Sequence, residues 1–214
     1  TGMGLERIAA VMQGKTDNYE IDIFHHLMQA VRTVLDNPAV EALPCRVISD
    51  HMRAIVFLII DGVIPSNEGR GYVLRRIVRR AVRYGYQAGK RVPFLHQLVH
   101  AVIDVMKAAY SELVAHEATV VEIIQAEEQQ FFATLGAGFT LLEQVLPNLS
   151  DGCIPGDVVF KLYDTYGFPV DLIEDIASER DIRIDRDGFE INMQAQKQRS
   201  RNNKQFSMHK VLDV

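Results

Sequence analysis

Two cysteines, Cys45 and Cys153, are all that the 214-residue chain contains, and they lie far apart with no partner pattern. A disulfide framework and a cysteine-built zinc site are both excluded, and a reducing, cytoplasmic setting is expected. Long apolar runs are equally scarce. The longest, Ala54 to Ile60, falls far short of the ~18 residues a bilayer-spanning helix needs. No signal-peptide pattern is read at the start, so a soluble protein with no membrane partner is expected. The seven histidines, His25, His26, His51, His96, His100, His116 and His209, have no metal-ligand spacing with an acid between them, and no metal site is expected. No nucleophile, base and orienting group fall together, so a free-standing catalyst is poorly supported. The chain lacks internal repeats and a strand-rich stretch. It also lacks an initiator methionine and starts inside a motif, which leads us to expect a piece of a longer polypeptide.

Acidic residues are missing where they would matter most. From Arg70 to Arg91 there are eight basic residues and no Asp or Glu, a local +8 in a chain of net −5, which leaves −13 for the remainder. At 100° per residue, Arg75, Arg76, Arg79, Arg80 and Arg83 share one arc of a helix, and Leu74, Ile77, Val78, Ala81 and Val82 share the opposite one. One face is expected to pack and the other to be presented to a polyanion. No acid at i±3 or i±4 offers pairing within the helix, and a predominance of Arg over Lys suits two-pronged phosphate recognition. A charge run of this kind can also be a solvated face paired with acidic neighbours.

With 48% apolar residues the chain can bury a sizeable core, in one or two domains. Apolar residues recur with helical period over Asp22–Leu35, and Asp36-Asn37-Pro38 stops that helix. Ser49 is expected to cap a second helix that ends at Asp61-Gly62. The loop 63–71 then precedes the basic helix. Further helices are expected over Phe94–Met106, about Ser111–Leu146, Val158–Tyr163, Asp171–Arg180 and Phe189–Arg199, with Gly136 and Gly138 marking a bend or a close approach. The expected fold is mainly α, two helical subdomains joined by a long helix, with little or no β. Gly2-Met3-Gly4-Leu5-Glu6-Arg7 reads as a glycine-rich turn into a helix start, where a backbone can approach an anion.

Three segments, taken in order, resemble one family, the alanyl-tRNA synthetases. Gly2 to Arg7 looks like the third signature motif of class II synthetases. Ser66-Asn67-Glu68 to Arg80 resembles the family's tRNA-binding helix, and Leu162 to Leu172, with Tyr163-Asp164-Thr165-Tyr166-Gly167-Phe168-Pro169 within it, is similar to its later signature. The resemblance implies that Arg7 contacts ATP phosphates while Gly2 and Gly4 make room for the nucleotide. It further implies that Asn67 and Asp164 read the G·U wobble pair at the third position of the tRNA acceptor stem. An amide offers donors and an acceptor, a carboxylate accepts from an amino group, and the guanine 2-amino group is exposed in the shallow minor groove of A-form RNA. Arg70, Arg75, Arg76, Arg79, Arg80 and Arg83 would then hold phosphates and fix register. By themselves, Asn67 also reads as a loop or N-cap residue and Asp164 as a turn or ion-pair residue, and Tyr163 and Tyr166 read better as half-buried packing than as base-stacking residues.

The resemblance divides the chain into a remnant of the catalytic core (1–14), a first helical bundle carrying the basic helix 70–84 (15–108), a long helix with a second helical subdomain (109–199) and a linker (200–214) toward a following editing domain. The implied activity is that of an alanine–tRNA ligase using ATP and Mg, with zinc confined to the editing domain. These 214 residues are expected to bind the tRNA(Ala) acceptor stem, and not DNA, without activating alanine. The alternative is a helical protein-interaction domain whose basic helix docks an acidic partner.

Overall fold

A computed structural model of the chain describes residues 2–149 and 151–212, with side chains described as far as residue 199. The chain divides into two compact units, 1–133 and 134–214. The first begins with α1 (Leu5–Met12), a 3₁₀ turn (Asn18–Glu20) and α2 (Asp22–Leu35). The limits of α2 match the apolar period: Phe24, Leu27, Val31 and Leu35 are buried, and Asp36 closes the helix in the left-handed region at φ 54°. In α3 (Ala42–Ile60) the expected start is corrected. Ser49 caps nothing and is buried mid-helix at 1% exposure. The helix begins eight residues earlier, at Ala42, and Pro44 is tolerated at its third position because an N–H there would find no intrahelical partner anyway.

The basic helix is α4 (Gly69–Gln87), packed against α3. Phe94–Met106 forms a 3₁₀ turn (Leu95–Leu98) followed by α5 (Val99–Met106), which packs on α2 and α3. The carboxylate of Glu128, fully buried, accepts from the backbone N–H groups of Phe94 and Leu95 at 2.8 Å each and of His96 at 3.1 Å, so it caps this segment from 33 residues away in sequence. Glu128 belongs to α6 (Glu112–Val145), whose buried residues in the first unit include Leu113, Val120, Ile124 and Phe131.

In the second unit, Cys153–Ile154 (β1) and Arg183–Ile184 (β2) form a two-residue parallel pair, the only sheet among the described residues. A mainly α fold is thus what the chain adopts. Around the sheet lie α7 (Gly156–Asp164), α8 (Val170–Ser178) and α9 (Arg186–Leu212), with α7 packing on both α8 and α9. A Cβ at Gly138 would meet the Phe168 ring at 2.3 Å, so the glycine in α6 marks a close approach and admits that fully buried ring. Helix α9 continues through most of the segment 200–214 expected as a linker. From residue 189 to Leu212 the sequence has neither proline nor glycine, and the backbone stays helical; residues 213 and 214 lie outside the described residues.

Candidate nucleic-acid interface and nucleotide pocket

The loop into α4 is shaped by two glycines. Gly69 takes φ 59°, and a Cβ on Gly71 would meet the Ile64 carbonyl oxygen at 2.2 Å, so residues 64–66 fold back directly over the first helical turn. Ser66 ties the fold-back by donating from its N–H to the Gly71 carbonyl at 3.1 Å and from its hydroxyl to the Glu68 carbonyl at 2.8 Å. Asn67 is exposed at the tip of this loop.

The six arginines expected to present one face fare differently. Arg70 is exposed; Arg76 and Arg80 are half-buried, with Arg76 5.9 Å from the centroid of the Tyr72 ring. Arg79 and Arg83 are instead buried, at 7% and 0% exposure, and their place on a presented face is corrected. Arg79 donates from Nε to Glu127 Oε1 at 2.8 Å, with its Nη2 at 2.6 Å from the same oxygen, and lies 5.0 Å over the Phe131 ring. Arg75 donates from Nε to Glu127 Oε2 at 3.1 Å and from Nη1 to Asn67 Oδ1. Glu127 itself is 5% exposed. Burial pushes the Arg79 guanidinium below its ordinary pKa and the Glu127 carboxylate opposes that shift, so the charge stays in place. Sequence reasoning missed this carboxylate because it lies 48 residues away from Arg79. A signal was available: Glu127 and Glu128 stand three and four residues after Ile124 and before Phe131, on the apolar stripe of their helix, where an acid implies a buried donor.

Asp164 is exposed at the last position of α7, and Gln196 of α9 donates from Nε2 to its Oδ1. Tyr163 packs edge-on against Phe189 with ring centroids 5.5 Å apart, and Tyr166 is half-buried, its carbonyl accepting from Thr134 at 2.8 Å. The two tyrosines therefore support the segment that carries Asp164. Asn67 belongs to the first unit and Asp164 to the second.

At the start of the chain Gly4 caps α1 at φ 81°, a conformation that favours glycine. Gly2, Gly4 and the exposed Arg7 line a cavity of about 450 Å³ together with Glu6, Tyr19, Phe24 and Asp50. That volume falls in the range of small-molecule sites. Of the charged residues that line it, Glu6 accepts from Arg53, which lies 5.0 Å from the centroid of the Phe24 ring, and Asp50 Oδ2 lies 3.3 Å from His51 Nδ1. Glu6 is held below the ordinary glutamate pKa, first by its own backbone N–H at the helix start and then by Arg53, against the opposing effect of burial. Among the described residues no group of three or more His, Cys, Asp or Glu side chains is placed to hold a metal, and no helix is long and apolar enough to cross a membrane.

The family model described as tRNA synthetases class II (A) matches residues 1–214. Among similar proteins, the alanine–tRNA ligase of Saccharophagus degradans is 52% identical over 208 residues, covering 97% of this chain and 24% of that protein. Those of Dichelobacter nodosus and Colwellia psychrerythraea are each 52% identical, over 214 and 206 residues, covering 100% and 96% of this chain and 24% of each relative. The chain thus spans about a quarter of the length of the curated relatives it matches.

Proposed function

The chain belongs to the class II (A) tRNA synthetases, and from that premise we propose that it is the acceptor-stem recognition portion of an alanine–tRNA ligase, which joins alanine to tRNA(Ala) at the expense of ATP. The observation that carries the reading is the state of the two readout residues: Asn67 and Asp164 are both exposed, and each is oriented by a side chain, Arg75 and Gln196 respectively. A carboxylate is an acceptor only, so Asp164 suits the 2-amino donor of guanine in the minor groove, and the Asn67 amide suits the neighbouring edge atoms. Exposed Arg70 and half-buried Arg76 and Arg80 would meet the flanking phosphates. Because Arg75 and Arg79 already face Glu127 and Arg83 has no exposed surface, less of α4 is left for any anionic partner, RNA or acidic protein, than its charge run suggests.

Arg7, with Gly2 and Gly4 leaving backbone room beside it, fits the phosphates of ATP; Mg and the rest of the adenylate chemistry belong to the full-length enzyme. The 214 residues alone bind the stem and do not activate alanine. On this reading zinc belongs to the editing domain, and the enzyme works in the cytoplasm.

Fluorescence anisotropy with two acceptor-stem hairpins, differing only in a G·U or G·C third pair, tests the reading across a salt series. Preference for G·U is expected, with affinity falling linearly in log salt. Asn67→Ala or Asp164→Ala should remove the preference at a cost of about 1–3 kcal/mol on the G·U stem. Equal binding of both stems by the unaltered chain would reject the readout.

A further inference from the structure

We infer that Arg75 is a positioning residue for the Asn67 amide, anchored by the buried carboxylate of Glu127, and does not grip phosphate as its place in the basic helix suggests. The inference deepens the acceptor-stem reading and rests on it.

Three observations carry it. The Arg75 guanidinium is forked between two acceptors, with Nε on Glu127 Oε2 at 3.1 Å and Nη1 on Asn67 Oδ1. The Arg75 side chain is 16% exposed and the Glu127 side chain 5%, so the shared contact is largely out of water. Glu127 is in turn fixed by Arg79, whose Nε donates at 2.8 Å and whose own side chain is 9% exposed. A planar guanidinium with one edge committed to a buried carboxylate has its remaining donors aimed in fixed directions. Turning it toward a phosphate would remove its charge from Glu127, where compensation is most needed.

The consequence for Asn67 is directional. An amide holds its oxygen and nitrogen on opposite sides of one carbon, so once Oδ1 accepts from Arg75 the Nδ2 donors point the other way. Asn67 is thereby set to present donors. Its natural target is an acceptor on the minor-groove edge, a purine N3 or a pyrimidine O2, while the amino donor of guanine is left for the carboxylate of Asp164. Arg75 thus decides which half of an ambidextrous side chain faces the RNA.

The test uses the 214-residue chain, the two hairpins above and the side-chain amide resonances of Asn67 in a ¹⁵N–¹H spectrum, identified by their loss in Asn67→Ala. Lysine keeps the charge at position 75 but lacks the fork. Arg75→Lys should therefore leave the salt slope unchanged, reduce the G·U preference at least about fivefold toward that of Asn67→Ala, and move the Asn67 amide pair toward solvent-exposed shifts. In the double variant with Asn67→Ala, the lysine should cost no further preference, since it acts through the missing amide. A phosphate contact predicts the opposite: the lysine retains binding, and Arg75→Ala weakens both stems alike and lowers the slope by about one unit. That pattern, or Asn67 resonances unmoved in Arg75→Lys, would overturn the inference. If the unaltered chain showed no G·U preference, the acceptor-stem reading would fall and the functional half of the inference with it, while the amide shifts would still decide whether Arg75 holds Asn67.

Discussion

Glu127→Ala is the substitution whose effect is best defined by the geometry. The carboxylate is 5% exposed and serves two guanidinium groups, Arg79 at 2.6–2.8 Å and Arg75 at 3.1 Å, whose side chains are 9% and 16% exposed. Removing it leaves Arg79 charged and buried without its principal counter-ion, and breaking a buried pair from one side costs about 3–5 kcal/mol. Arg75 lies nearer to water and contributes the smaller share. The assay is urea denaturation followed by far-ultraviolet circular dichroism, and the transition of the unit that holds Glu127, residues 1–133, is the one that should shift. A paired variant, Glu127→Leu with Arg79→Met, controls for lost packing. Because it removes both charges and fills the volume with apolar groups, it should recover most of the loss, giving a coupling of roughly 2 kcal/mol or more between the two sites. A loss below about 1 kcal/mol for Glu127→Ala, the range of a solvated pair, would refute the argument that this contact is desolvated. So would a double variant no more stable than the single one.

Three further outcomes follow from other parts of the molecule. Gly71→Ala places a methyl 2.2 Å from the Ile64 carbonyl oxygen, so it should distort the loop that carries Asn67; anisotropy should show the G·U preference falling while thermal stability drops by only about 1–3 kcal/mol. Gly138→Ala collides with the Phe168 ring at 2.3 Å and should destabilise the second unit by about 1–3 kcal/mol, with Phe168→Leu in the same chain restoring part of the loss as read by urea denaturation. Glu6 is held below the ordinary glutamate pKa, so its contribution to stability is complete above the unfolded value, about 4.3, and is lost as pH falls through the lower folded value. A ¹³C carboxyl titration should show that low value rising in Arg53→Ala, and an unchanged midpoint would remove Arg53 from its causes.

Much of the fold was legible because helical period is a local property. The limits of α2 follow from Phe24, Leu27, Val31 and Leu35 recurring on one stripe and from Asp36 entering the left-handed region directly after it. Where one residue was allowed to decide a boundary the reading failed. Ser49 resembles a cap, but Cys45 and Ile48 share its buried side, so the stripe begins before it and the helix runs from Ala42. The sequence supplied candidate residues for the site and not their partners. An arc drawn at 100° per residue gathers the arginines of α4 correctly, yet it takes no account of what packs against that arc.

What the sequence determined by itself is what depends on near neighbours: helices from their apolar spacing, the turn into α4 from Gly69 and Gly71, and a family membership carried by short ordered motifs. What only the tertiary structure decided is which charges reach solvent. Arg70 stays outside, Arg79 and Arg83 go inside, and Arg75 meets Glu127 and Asn67. The reason is that the cost of a buried charge is met by a group close in space, and Glu127, 52 residues along the chain from Arg75, becomes its neighbour only after the helices have packed.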